Sequence, residues 1–163
     1  MLTILVLCTG NSARSILAEA LINARGDGRM RAVSAGSAPT GTPNPLALQT
    51  LAAHGLPTSG YRSKSWDEFA APGAPELDAV ITVCDSAAAE ACPVWPGAPV
   101  RAHWGLPDPA AIADPEAARQ AFNDTFLELE ARIVALLDVL GGDDRAALQS
   151  ALDQIKPRFG SST

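Results

Sequence analysis

Cys8 and Arg14 bracket five small or polar residues, Thr9-Gly10-Asn11-Ser12-Ala13. A thiol, a short loop and a guanidinium form a compact kit for holding an oxyanion and attacking it. The backbone N–H groups of a tight loop can converge on one anion. A helix N-terminus adds positive partial charge, and Arg14 adds a planar fork of donors. The same field is expected to lower the pKa of Cys8, whose thiolate is the nucleophile. Ser15 is placed to donate a hydrogen bond to that thiolate, or simply to serve the helix start. Taken alone, Cys8 reads as a small buried hydrophobe ending a core strand. The spacing to Arg14, the Gly10 turn and Ser15 favour the nucleophile.

Two more cysteines follow, Cys84 and Cys92. Cys84 ends the apolar run Val80-Ile81-Thr82-Val83, so like Cys8 it stands at the carboxyl end of a strand. In helical form Cys84 and Cys92 would lie about 12 Å apart, beyond the roughly 7 Å that a disulfide tolerates between Cα atoms. A bond between them needs the segment to unwind or fold back. Alanines between Asp85-Ser86 and Pro93 suit such a segment. Core packing for Cys84, with Cys92 an incidental surface thiol, is the plain alternative. A zinc site from Cys84, Cys92 and His103 matches no common ligand spacing. Asp108 sits between Pro107 and Pro109, after His103-Trp104-Gly105. A carboxyl held on that stiff rim can protonate a leaving oxygen if it is partly desolvated. An Asp-Pro pair also starts turns, and both readings stand at this point.

These residues need elements to hold them. Leu2 to Leu7 reads as a fully buried strand. Ser15 to Arg25 has helical spacing in Ile16, Leu17, Ala20, Leu21 and Ala24, ended by Gly26 and Gly28. Met30 to Ser34 is a second strand with Ala35-Gly36-Ser37 as its exit turn. Pro45 to His54 is a helix, and Ser65 to Phe69 a short one. Ala79 to Val83 is a third strand and Ala98 to Ala102 a fourth. Ala117 to Leu140 is a long amphipathic helix, and Asp143 to Ile155 a further helix. Strands alternating with helices predict an α/β domain: a three-layer sandwich with a four-stranded parallel sheet and helices on both faces. In such sheets ligands bind at the carboxyl ends of strands, where Cys8 and Cys84 both fall.

The chain has 163 residues, enough for one domain with its own core. Aromatic residues are only 5%, so that core is expected to be aliphatic. A net charge of −6 argues against broad nucleic-acid or anionic-membrane binding. It leaves room for one local anion site. No apolar run approaches the ~18 residues of a membrane span. Met1 to Leu7 is too short for a secretory signal. A cytoplasmic protein is therefore expected, and there three cysteines argue for catalytic, redox or metal roles.

With the Cys8 loop, the second cysteine pair and the Asp-Pro in hand, the chain resembles the arsenate reductases built on the low-molecular-weight protein tyrosine phosphatase fold. The segments that carry the resemblance are Val6 to Ser15, Ser34-Ala35-Gly36, Thr82-Val83-Cys84, Cys92-Pro93 and His103 to Pro109. The match runs over about residues 1–140, leaving 141–163 as a C-terminal helical extension. The Cys8-to-Arg14 loop and Asp108-Pro109 are shared with the phosphatases. Those enzymes usually carry a second cysteine before the loop arginine, where this chain has Ala13. They tend to place tyrosines after the Asp-Pro, where this chain has Ala110 and Ala111.

The resemblance implies a mechanism. Arsenate, or phosphate or sulfate in its place, sits in the loop formed by Thr9, Gly10, Asn11, Ser12, Ala13, Arg14 and Ser15. Cys8 attacks arsenic, and Asp108 protonates the departing oxygen. Cys84 attacks Cys8, and Cys92 then attacks Cys84. Thioredoxin, or glutaredoxin with a low-molecular-weight thiol, restores the dithiol. No organic cofactor is implied. Asn11 and Ser34 are implied to support the loop. Some relatives hold potassium beside it; Asn11, Glu19 and Ser34 match that pattern, but Ser63-Lys64-Ser65 lacks the acidic ligand. No bound potassium or other metal is therefore expected, with Lys64 standing in for the cation. Phosphomonoester hydrolysis through a phosphocysteine at Cys8 is the alternative activity.

Overall fold

The computed structural model describes residues 1–84, 95, 97, 99–142 and 144–155. Four strands form one sheet: β1 (Leu2–Leu7), β2 (Met30–Ala35), β3 (Ala79–Thr82) and β4 (Val100–His103). All three pairings are parallel, in the order β2-β1-β3-β4. Every residue of β1 is buried, so both faces of the sheet are covered. Its sequence, Leu-Thr-Ile-Leu-Val-Leu, is the unbroken apolar run that such a position demands. The fold is the α/β sandwich that the alternating pattern predicts.

The helices are α1 (Arg14–Arg25), α2 (Pro45–Ala53), α3 (Pro115–Leu140) and α4 (Leu148–Asp153). Phe122, Phe126, Leu129, Ile133 and Leu136 recur at three- and four-residue spacing along α3 and are fully buried. α1 and α2 both pack on α3. Each such side chain contributes about 1.5–3 kcal/mol by leaving water. His54 caps α2 and stacks on Phe126 with ring centroids 3.9 Å apart.

Several boundaries differ from the sequence reading. α3 starts two residues early, because Asp114 accepts from Ala117 N at 2.8 Å and Pro115 fills the first turn. β4 occupies Val100–His103 rather than Ala98 to Ala102. Its register on β3 pairs Ala79 with Val100 and Thr82 with His103; Ala98 lies outside the described residues. The helix expected over Asp143 to Ile155 is shorter. Asp144 caps a 3₁₀ turn, Arg145–Ala147, which runs into α4. α4 covers the edge strand, with Gln149 Nε2 donating to Arg101 O at 3.2 Å. Arg145 bonds Gly97 O and pairs with Asp78 at 3.4 Å. Among the described residues no helix is long and apolar enough to cross a membrane.

Candidate active site

The strand order reverses at β1, whose neighbours are β2 and β3. A crevice opens beyond the carboxyl ends of strands at such a point. There a cleft of about 330 Å³ is lined by Cys8, Thr9, Gly10, Ser12, Ala13, Arg14, Thr40, Cys84, Asp108 and Ala110. Cys8, Arg14, Cys84 and Asp108 thus come together from three segments of the chain. Cys92, like Asp85, Ser86 and Pro93, lies outside the described residues.

The loop owes its shape to its carbonyls. Thr9 O accepts from Ala38 N at 3.0 Å, Gly10 O from Thr40 N at 3.1 Å, and Ser12 O from Asn44 N at 2.8 Å. Ser63 Oγ also donates to Gly10 O at 3.0 Å. Carbonyls turned outward leave peptide N–H groups turned toward the cleft. Helix α1 begins on Ala13, which gives no side-chain cap. Its first N–H groups therefore remain for an anion. The segment 38–44 that shapes the loop was not singled out from sequence. Its only trace there is a run of small and turn-forming residues.

Asn11 is the keystone. It is fully buried and adopts φ 45°, a left-handed conformation that asparagine tolerates better than most residues. Its Nδ2 donates to Ser15 Oγ and to Ser34 Oγ, each at 2.9 Å. Its Oδ1 accepts from Lys64 N at 2.9 Å. One side chain ties the loop to α1, to β2 and to the segment before the Trp66–Phe69 turn. Asn11→Ala should lower stability by about 3 kcal/mol, since buried partners lose their bonds and alanine resists φ 45°. Chemical denaturation would measure it, and a change below about 1 kcal/mol would remove Asn11 from this role.

Gly36 explains the Ser34-Ala35-Gly36 segment. A Cβ at Gly36 would collide with the carbonyl oxygens of Cys8 and Thr9. The exit of β2 therefore passes directly beneath the anion loop.

Arg14 donates from Nη1 to Leu106 O at 2.7 Å. Its Nη2 lies 3.8 Å from Asp108 Oδ2. Its Nε–H is buried and makes no hydrogen bond among the described residues, so an oxyanion in the loop would give it an acceptor. Asp108 does both things its sequence allowed. Oδ1 accepts from Ala110 N at 3.0 Å and starts the Pro109–Ala111 turn, while Oδ2 faces Arg14. Its side chain is 44% exposed, more open than the partial desolvation anticipated from sequence.

The two thiols form a pair. Cys8 and Cys84 are both buried and line the same cleft. Thr9 N donates to Cys84 Sγ at 3.3 Å, and Thr9 Oγ1 lies 3.6 Å from the same sulfur. The expected lowering of the Cys8 pKa is corrected here. The neighbouring Cys84 thiol first, and burial second, push the Cys8 thiol well above its ordinary range. Arg14 and the Gly10 backbone pull it down, but by less. Two thiols in contact cannot both ionise easily. Ser15 Oγ accepts from Asn11, which leaves its own proton for another acceptor; no Ser15 bond to the Cys8 sulfur is seen.

Glu19 and Lys64 lie behind the loop. Ser34 donates to Glu19, and burial raises the Glu19 pKa against the pull of Ser34 and of the Lys64 charge. Lys64 is buried, and its pKa is lowered by that burial and raised by Glu19. These groups do not fit a potassium ion well. Asn11 Oδ1 and the Ser34 hydroxyl are engaged within the protein, and Lys64, whose Nζ donates to Arg62 O at 3.1 Å, already acts on the Glu19 carboxylate through its charge. Replacing sodium with potassium at fixed ionic strength should leave melting temperature and turnover unchanged. A specific potassium effect at millimolar concentration would overturn this.

A buried thiol in a tight strand–helix loop, sharing its cleft with an arginine, defines a cysteine-based oxyanion enzyme. The chain belongs to the low molecular weight phosphotyrosine protein phosphatase family, whose sequence model matches residues 3–148. Within it, the chain is 37% identical over 120 residues to an arsenate reductase of Bacillus licheniformis, covering 74% of this chain and 83% of that protein. It is 35% identical over 116 residues to an arsenate reductase of Bacillus subtilis, covering 71% and 80%. Among solved structures, a low molecular weight phosphotyrosine phosphatase from Vibrio cholerae superposes with a TM-score of 0.67 at 25% identity, covering 86% of this chain and 97% of that one.

Proposed function

We propose that this protein reduces arsenate to arsenite with electrons from its own thiols. The observation that carries the reading is the second thiol, Cys84, buried beside Cys8 in the lining of the same oxyanion cleft. Hydrolysis of a phosphoester needs one nucleophilic sulfur; reduction needs a second to accept the first in a disulfide. The curated relatives named above, both arsenate reductases, support the same reading.

Arsenate lies in the loop from Thr9 to Ser15 with Arg14 across its oxygens. The Cys8 sulfur attacks arsenic, and an arsenic oxygen departs as water after Asp108 gives it a proton. The Cys84 sulfur then attacks Cys8. The sulfur–arsenic electron pair stays on arsenic, which leaves as arsenite, and a Cys8–Cys84 disulfide remains. Cys92 attacks Cys84 and carries the disulfide onward. A thioredoxin-type protein, or glutaredoxin with a small thiol, reduces it.

The test is arsenate turnover with each reductant supplied alone, in wild type and Cys92→Ala. Multiple turnovers of arsenite with one dithiol protein, lost in Cys92→Ala, support the relay. Equal rates with every reductant in both proteins would sink it. Phosphomonoester hydrolysis is the second reading, favoured by the geometry Cys8, Arg14 and Asp108 share with it. It predicts phosphate release that does not depend on Cys84.

A further inference from the structure

We propose that Ser63 is a positioning residue for the oxyanion: its hydroxyl holds the Gly10–Asn11 peptide with the Asn11 N–H aimed into the cleft. The proposal rests on the oxyanion site described above and applies to reduction and hydrolysis alike.

A trans peptide points its C=O and its N–H in opposite directions. Whatever binds a carbonyl therefore sets where the next residue's N–H points. Thr9 O and Ser12 O each accept from one backbone donor, Ala38 N and Asn44 N. Gly10 O differs from both. It accepts from Thr40 N at 3.1 Å and from Ser63 Oγ at 3.0 Å. Two donors match the two lone pairs of a carbonyl oxygen.

The second donor answers a weakness at this one peptide. Asn11 has φ 45°. Asparagine tolerates that conformation better than most residues, yet extended backbone is easier for it. A half-turn of the Gly10–Asn11 peptide plane would carry the Asn11 φ to about −135°, inside the extended region. Gly10, having no side chain, accepts the matching change in ψ. The flipped loop is less strained. Its Asn11 N–H faces outward, and a carbonyl oxygen faces the anion instead. An oxyanion binds only the unflipped loop, so its apparent dissociation constant rises as that loop's population falls.

Ser63 is itself fixed. Its Oγ accepts from Gly41 N at 3.1 Å while donating to Gly10 O. The next residue grips the same peptide from its other side: Lys64 N donates to Asn11 Oδ1 at 2.9 Å. Lys64 O accepts from Gly36 N, and Gly36 O from Trp66 N, each at 2.9 Å. Gly36 lies against the carbonyls of Cys8 and Thr9. The segment that carries Ser63 is thus anchored to the exit of β2. The Asn11 side chain alone cannot prevent the flip, because the peptide turns about bonds on the other side of its Cα. The carbonyl has to be held, and Ser63 is the side chain that holds it. Ser63 is outside the lining of the cleft. It acts on the anion through the peptide, not by touching it.

The test uses the reduced full chain with inorganic phosphate as the probe, so that no turnover is needed. Calorimetry gives the phosphate dissociation constant, and ¹⁵N spectra follow the loop amides. Ser63→Ala should bind phosphate about fivefold more weakly, the worth of one hydrogen bond. In phosphate-free Ser63→Ala the Asn11 amide should move from its wild-type position. Saturating phosphate should bring it most of the way back. Ser63→Thr keeps the hydroxyl and should match wild type in affinity and in spectrum.

A merely structural role would displace the Gly10, Asn11 and Ala13 amides together and leave them displaced at saturation. That pattern, wild-type affinity in Ser63→Ala, or weak binding in Ser63→Thr would each overturn the proposal. A wild type that fails to bind phosphate would overturn the oxyanion site and this proposal with it. A wild type that binds phosphate but makes no arsenite would overturn the reduction proposed above and leave the role of Ser63 standing.

Discussion

Cys84→Ala should still bind arsenate but make no steady arsenite with a dithiol protein as reductant. The expected loss is on the order of 10³-fold or more, as when a nucleophile is removed from an enzyme. Cys84 is 4% exposed and lines the cleft with Cys8, so alanine removes a sulfur and little else. Arsenite measured over many enzyme equivalents is the readout. A second readout concerns the proton. Cys84 is the first cause of the raised Cys8 pKa. Without it the folded pKa falls, and Cys8 should react with iodoacetamide at lower pH than in wild type. Steady arsenite retained in Cys84→Ala would remove Cys84 from the relay, whereas phosphate release from a phosphomonoester, unaffected by Cys84→Ala and without arsenite from wild type, would make hydrolysis the better reading. An alkylation pH profile the same in Cys84→Ala as in wild type would contradict the thiol pair.

Arg14→Lys should have the next largest effect. Lysine keeps the charge but not the planar fork. The Arg14 side chain is 12% exposed and held by Leu106 O, so its Nε and Nη groups are aimed before any anion arrives. A flexible ammonium loses that preorganisation. kcat/KM for arsenate should fall about 100-fold, which is roughly 2.7 kcal/mol of transition-state stabilisation. Inhibition by phosphate should weaken with it, because the same fork grips both anions. Values within about threefold of wild type would show that charge alone suffices.

The motif-bearing residues were legible because their chemistry is written in type and spacing. The apolar run of β1, the break at Cys8-Thr9-Gly10 and the periodicity after Arg14 place the loop at a strand–helix junction. The structure puts it there. Cys84 was legible as a strand end, and its meeting with Cys8 follows from β3 pairing beside β1. The supporting contacts were not legible. Thr40 and the segment that bonds the loop carbonyls lie some thirty residues on, and nothing local marks them. The direction of the Cys8 pKa was misread for a related reason. The field of Arg14 is visible in the motif, whereas the opposing effect of Cys84 exists only after folding. Element ends moved by one to five residues where caps such as Asp114, or register such as Thr82 on His103, override periodicity.

The Asn11 side chain ties the anion loop to three stretches far apart in the sequence. The unfolded chain therefore has no partial version of this site. Any oxyanion that occupies the loop binds the native state alone, and its binding energy adds in full to the free energy of unfolding. At a hundred times its dissociation constant, such an anion should add about 2.7 kcal/mol. The melting temperature then becomes a concentration gauge for the site. Phosphate, sulfate and arsenate can be ranked by heating the protein in each, with no turnover required.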